Sequence, residues 1–153
     1  MPKVDPKKLT MRVMKKGDVD AIVELDAKVL GEERQSYYDR KCATALDASM
    51  QLVTSLVAVY DDKVIGFIMG NVFLGEFGIP ESVATFDTIG VHPEYQGQGV
   101  AIDLIRQFVS NLKKAQVEHI YTFVNWNDWD MLKFLEKSGF GPSKTLALEM
   151  KLP

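Results

Sequence analysis

The residues best suited to chemistry are two glycines, Gly97 and Gly99, set between an apolar run ending at Val91 and a stretch with helical apolar spacing. Glycine reaches backbone conformations that other residues avoid, and it lets a ligand come close to the main chain. A helix that begins at such a turn presents N–H groups with no internal partner, at the positive end of its dipole. That combination suits anionic oxygens, so Gln96 to Ala101 is expected to hold the phosphates of a ligand.

Three kinds of phosphate loop join a strand to a helix through glycines. A Walker loop needs Gly-Lys-Ser/Thr, and this chain has Gly99-Val100-Ala101. A dinucleotide fingerprint needs a third glycine, where Ile102 stands. The acyl-coenzyme A loop, Q/R-x-x-G-x-G/A, is met at every specified position by Gln96-Gly97-Gln98-Gly99-Val100-Ala101. An ordinary glycine turn ahead of a core helix is the alternative.

Other reactive side chains are sparse. Cys42 is the only cysteine, so no intrachain disulfide can form and a reducing, cytoplasmic setting fits. His92 and His119 lie far apart in sequence with no Cys or acidic cluster at ligand spacing, so no metal site is expected. A net charge of −3 lacks the basic footprint of a nucleic-acid binder. No run approaches the ~18 apolar residues of a membrane span, so no membrane partner is expected. At 153 residues and 46% apolar content, one globular domain over 9–153 is expected, preceded by a flexible leader over 1–8.

These residues need elements to position them. Leu9 to Met14 reads as a strand, followed by a helix that Asp18 caps and Gly31 ends. A weaker helix is expected from Ser36 to Asp47. Leu52 to Tyr60 and Val64 to Asn71 flank Asp61-Asp62-Lys63 as a hairpin. Phe73 to Glu81, with Gly75, Gly78 and Pro80, reads as a loop, and Ser82 to Val91 as the strand that feeds the glycines. The next helix runs to about Ala115, with Ala101, Leu104, Ile105, Phe108 and Leu112 on one face. A strand from Glu118 to Val124, a helix that Asp128 caps and Gly139 stops, and a strand from Thr145 to Leu152 complete the chain. This order predicts an α/β chain of the α+β kind, with one mixed sheet.

The run Thr88 to Ile102, with its His-Pro-Glu-Tyr lead-in, resembles the GNAT superfamily of N-acetyltransferases. Phe134-Leu135-Glu136-Lys137-Ser138-Gly139-Phe140 is similar to that family's F-Y-E-K-x-G-F segment, and the element order agrees along nearly the whole chain. The resemblance implies a mostly antiparallel sheet, splayed at the cofactor site and flanked by about four helices. It implies an acetyl-CoA-dependent N-acetyltransferase that moves an acetyl group to a primary amine of a small molecule or peptide. By that resemblance the backbone at Ile89 and Val91 would bind the pantetheine arm and thioester. The amides of Gly97, Gln98, Gly99, Val100, Ala101 and Ile102, after Gln96, would bind the pyrophosphate. The strands around Val91 and Val124 would splay apart. An Asn that often touches coenzyme A is replaced here by Asp128, with Asn125 and Asn127 nearby. Dimers are common in the family, so a homodimer stays open, though nothing in the final strand specifies one.

Direct transfer needs a neutral amine, a polarised carbonyl and a departing thiolate. Asp87 is the candidate base: many family members carry an acid four residues before the position of Val91. On an ideal strand it would share a side with Ile89. The backbone N–H near Ile89 is the candidate to polarise the thioester. The usual tyrosine of the F-Y-E-K segment is Leu135, which cannot donate a proton, so a module that binds acyl-CoA with weak or no catalysis is the rival reading. By analogy to the family, the first two helices and the Phe73 to Glu81 loop set the acceptor. Glu32, Glu33, Tyr37, Tyr38 and Asp39 would suit a cationic amine, with Trp126 and Trp129 as further walls.

Overall fold

The computed structural model describes residues 3–47, 55–74 and 82–153, with the side chains of 42–47 and 74 outside that description. The chain divides into two compact units, Met1–Thr122 and Phe123–Pro153.

The first unit is built on a five-stranded sheet in the order β1 (Leu9–Val13), β2 (Ser55–Tyr60), β3 (Lys63–Leu74), β4 (Ser82–Val91) and β5 (His119–Tyr121). The first four strands are antiparallel neighbours; β5 lies parallel to β4. Helices α1 (Val19–Leu30), α2 (Gln35–Asp47) and α3 (Val100–Lys114) accompany the sheet. A core cluster gathers Met14, Ile22, Val23, Leu25 and Tyr38 with Val57, Phe67 and Met69 of the sheet. On α3, Val100, Leu104, Ile105, Phe108 and Leu112 are buried. Fully burying one such side chain contributes about 1.5–3 kcal/mol, so packing holds this helix and its N-terminus in place. Gly70 makes the approach close enough: a Cβ there would collide with the Thr85 carbonyl oxygen and the Phe108 ring.

Several expected boundaries move. β3 extends to Leu74, so Phe73 is strand rather than loop, because it finds a ladder partner in Val83. The rest of the expected Phe73 to Glu81 loop, from 75 on, lies outside the described residues, as does the start of the strand expected from Leu52. The expected leader has partners: Val4 N–H donates to Gln98 Oε1 at 2.6 Å and Asp5 N–H to the Tyr60 hydroxyl at 3.3 Å.

Asp18 precedes α1 but makes no side-chain cap. Its carboxylate instead accepts two bonds from Arg12, at 2.7 and 2.8 Å, and one from Lys15 N–H at 2.7 Å. Burial alone would raise its pKa; the Arg12 and Lys15 bonds outweigh burial and hold it below the usual value. A group depressed in the folded state stabilises above its unfolded pKa, about 3.9 for Asp, and loses that contribution as pH falls through the folded value. Asp18→Asn is therefore expected to cost about 1.5 kcal/mol at pH 7, the low end for bonds to a charged group because Arg12 is partly exposed. The gap between mutant and wild type should close on acidification below about pH 4, as read by denaturant unfolding across pH.

In the second unit, α4 (Trp129–Lys137) is capped by Asp128, which accepts from Met131 N–H at 3.1 Å, and Gly139 at φ 98° ends it. Within the first unit β5 covers 119–121 of the expected Glu118 to Val124, whose last two residues belong to the second unit. Within the second unit by itself, Thr145 to Leu152 is assigned no ladder. A strand exists only through a neighbour that takes its N–H and C=O groups, and the second unit taken by itself pairs none with this segment.

Candidate functional site

The site grows from the end of β4. Within the described residues of the first unit, its ladder with β5 covers Val83 to Thr85, and from Phe86 to Val91 β3 is the neighbour assigned to it. Val124, the other side of the expected splay, belongs to the second unit. His92 N–H donates to the Ile65 carbonyl at 2.7 Å, and Pro93 starts a 3-10 turn through Tyr95. The His92 ring closes that turn by accepting from Glu94 N–H at 3.1 Å. Gln96 Nε2 then donates back to the Val91 carbonyl at 3.0 Å, tying the loop to the strand.

Gly97 and Gly99 adopt φ of 75° and 85°, the left-handed region that glycine alone enters without cost. A Cβ on either would meet no protein atom within 4 Å, so both face open space. The first helical bond of α3 runs from Asp103 N–H to the Gly99 carbonyl at 3.0 Å. The amides of Val100, Ala101 and Ile102 stand ahead of it, at the positive end of a 15-residue helix. The loop thus has the form expected from its sequence.

Asp87 departs from its expected placement. Thr88 pairs with Met69 and Phe86 with Gly70, leaving Asp87 as an extra residue, a β-bulge. The bulge breaks the alternation. Ile89 pairs with Ile68, on the face where Gly66 and Gly70 meet α3. Asp87 instead reaches α2, where its Oδ2 accepts from Lys41 Nζ at 2.7 Å and from Asn71 Nδ2 at 2.6 Å. The expectation that Asp87 and Ile89 share a side is therefore corrected. Bulges commonly re-aim a side chain beside an active site.

The acceptor cluster separates into two kinds of residue. Glu32, Glu33 and Asp39 are exposed, and Tyr37 is 37% exposed with the Arg34 guanidinium 4.8 Å from its ring centroid. Tyr38 is fully buried, which corrects its reading as an acceptor contact. Its hydroxyl donates to Asp26 at 2.9 Å, and Arg34 makes a two-pronged pair with the same carboxylate at 2.9 and 3.0 Å. Burial, with that bond, pushes the Tyr38 phenol well above its ordinary value, so it remains a donor. Lys41, Asn71 and the Asp26–Arg34 pair are missed by the sequence reading. All are ordinary polar residues whose roles arise from pairing across elements.

In the second unit, Asn127 and Trp126 are exposed, Trp126 at 80%, and Asp128 commits one carboxylate oxygen to its cap. Among the described residues no group of three His, Cys, Asp or Glu side chains could hold a metal ion. No described helix is long and apolar enough to cross a membrane.

A mixed five-stranded sheet whose fourth strand runs into a glycine loop and a helix is the architecture of the acyl-CoA N-acyltransferase fold. Residues 19–140 match the acetyltransferase (GNAT) family, and the chain belongs to that family. The uncharacterized N-acetyltransferase YjhQ of Escherichia coli (strain K12) is 30% identical over 114 residues. That alignment covers 73% of this chain, which spans about three fifths of the length of that relative (61%). Among solved structures, the aminoglycoside N-acetyltransferase AAC(6')-Iy in complex with CoA is 17% identical, with a TM-score of 0.77 over 97% of this chain and 99% of that one. A transcriptional regulator from Bacillus halodurans C-125 is 21% identical, also at TM-score 0.77, over 94% of this chain and 99% of its own. At these identities both show the fold.

Proposed function

We propose that the protein is an acetyl-CoA-dependent N-acetyltransferase acting on a primary amine of a small molecule or peptide. The observation that carries this reading is the end of β4, beyond its ladder with β5, running into two left-handed glycines at the start of α3. The open space at both glycine Cα atoms fits a pyrophosphate lying against the main chain. Coenzyme A supplies the activated acyl group as a thioester. The chain's own part is to hold the phosphates on the amides from Gly97 to Ile102. The backbone at Ile89 and Val91 orients the arm, and the N–H near Ile89 polarises the carbonyl.

Asp87 is the proposed base. The geometry already has its carboxylate receiving an ammonium, that of Lys41, at 2.7 Å. An acceptor ammonium entering there would replace or join Lys41, then lose its proton to the carboxylate directly or through water. Glu32, Glu33 and the exposed edge of Tyr37 favour a cationic acceptor, with Trp126 as a further contact, while Asn127 and Asp128 are proposed to touch coenzyme A. Leu135 supports the rival, a module that binds acyl-CoA without turnover.

Free-thiol release from acetyl-CoA, screened over amines, polyamines, aminoglycosides and peptides, separates the two. Acceptor-dependent release is the expected result. Thermal stabilisation by acetyl-CoA without release from any acceptor would favour the module. Stabilisation by ATP or NAD alone would overturn the ligand assignment.

A further inference from the structure

The carboxylate proposed to take an acceptor's proton already carries an amine of this chain. Lys41, on α2, places its Nζ 2.7 Å from Asp87 Oδ2. Asn71 Nδ2 donates to the same oxygen at 2.6 Å, so the carboxylate is fixed from β3 as well. The Tyr37 ring flanks the ammonium, its centroid 5.9 Å from Nζ. The Lys41 side chain is 20% exposed, against 47% for Lys28 in its surface pair with Glu24. Ion pairs that keep some contact with solvent contribute about 0–1 kcal/mol, so the Lys41 pair holds the amine in place without locking it there.

We infer that Lys41 is itself an acceptor: the protein transfers an acetyl group from acetyl-CoA to its own Lys41 ε-amine. This deepens the proposed function and rests on it, because it takes Asp87 as the base and the backbone at Ile89 as the place of the thioester. Two residues of strand separate those positions by about 7 Å, a span that the flexible four-carbon stem of a lysine covers by rotation. Among the described residues, no other lysine is paired with Asp87.

The step is balanced with the two reactants alone. Asp87 takes one proton from the Lys41 ammonium, and the neutral nitrogen attacks the thioester carbon. A C–N bond forms, the C–S bond breaks, and its electron pair leaves on sulfur. The second nitrogen proton goes to that sulfur, giving the free thiol, and Asp87 passes the first to water. Amine and base are held together before the thioester arrives, so the step avoids a bimolecular encounter with an acceptor. Acetyl-Lys41 is neutral and gives up its hold on Asp87, which leaves the carboxylate to an incoming ammonium.

The full chain, incubated with acetyl-CoA and no acceptor, is followed by intact mass and peptide mapping. One acetyl group is expected on Lys41, added at least about 10²-fold faster than on Lys28, the low end of what a positioned base contributes. Spontaneous acylation follows exposure and would favour Lys28 instead. The rate per chain should hold on about tenfold dilution, as an intramolecular step requires. Asp87→Asn should bring Lys41 down to the Lys28 rate, and Lys41→Arg, which keeps the cation, should carry no acetyl group at 41. Acetyl-Lys41 already present on the purified chain, and absent from Asp87→Asn, counts as the same result. If Asp87→Asn fails to fold, the Lys41 to Lys28 ratio and the dilution series decide by themselves. Acceptor-dependent thiol release with Lys41 unmodified would overturn the self-acetylation and leave the proposed function standing. Acetylation of Lys41 no faster than of Lys28, or slowed by dilution, would overturn it too. Neither release nor modification, in a protein that acetyl-CoA stabilises, would sink both readings.

Discussion

Asp87→Asn is expected to lower kcat by about 10²–10⁴-fold, the usual contribution of a positioned base. An alkyl ammonium with pKa about 10.4 is neutral in about one molecule in 2,500 at pH 7, so proton removal is a large part of the barrier. Asparagine keeps the size of the side chain but cannot take the proton. Its effect should fall on turnover, because among the described residues its bonding partners are Lys41 and Asn71, neither of them in the loop. Affinity for acetyl-CoA, measured by calorimetry, should stay at the wild-type value. Loss of the Lys41 ion pair could perturb α2 in the same variant, so Lys41→Gln is the control. It breaks the pair and leaves the carboxylate, and it should change KM for the amine far more than kcat. A fully active Asp87→Asn enzyme would remove this carboxylate from the mechanism. Equal losses in Asp87→Asn and Lys41→Gln would reduce the pair to a structural one.

The glycine loop is legible in the sequence because both glycines are demanded by local backbone geometry, and no distant element is needed to explain them. The bounds of β4 are legible for the same reason: an apolar β-rich run meets a proline that must end it. The bulge at Asp87 is not. Residues 85, 87 and 89 look like one side of a regular strand, and only the register against Met69 and Gly70 shows the extra residue. Tyr38 is a similar case. Beside Tyr37 and Asp39 it reads as part of a polar face, yet Asp26 and Arg34 satisfy its hydroxyl and allow full burial. Lys41 sits in a helix of weak periodicity, and its partner lies on another element.

Replacing both loop glycines by alanine is expected to weaken coenzyme A binding by about 30- to 700-fold. The left-handed conformation costs a non-glycine residue roughly 1–2 kcal/mol, so two such positions cost about 2–4 kcal/mol. No protein atom lies near either added Cβ, so the cost is not steric in the free protein. The free loop can escape the strain by turning its peptide units away, since Gln96 and Gln98 anchor it through their side chains and Gly99 through the first turn of α3. Binding would then have to restore the strained conformation, and each 1.4 kcal/mol of that cost is a factor of ten in Kd. A loop that stays put would instead show the cost as lower thermal stability, with the added methyl groups standing where the phosphates approach. Gly17→Ala is the internal control, because Gly17 has open space around it but no positive φ. It should leave both stability and affinity unchanged. Calorimetric titration of coenzyme A, alongside thermal unfolding of the free proteins, separates the two routes. A folded double variant that binds coenzyme A with wild-type affinity would show that the phosphates are held elsewhere.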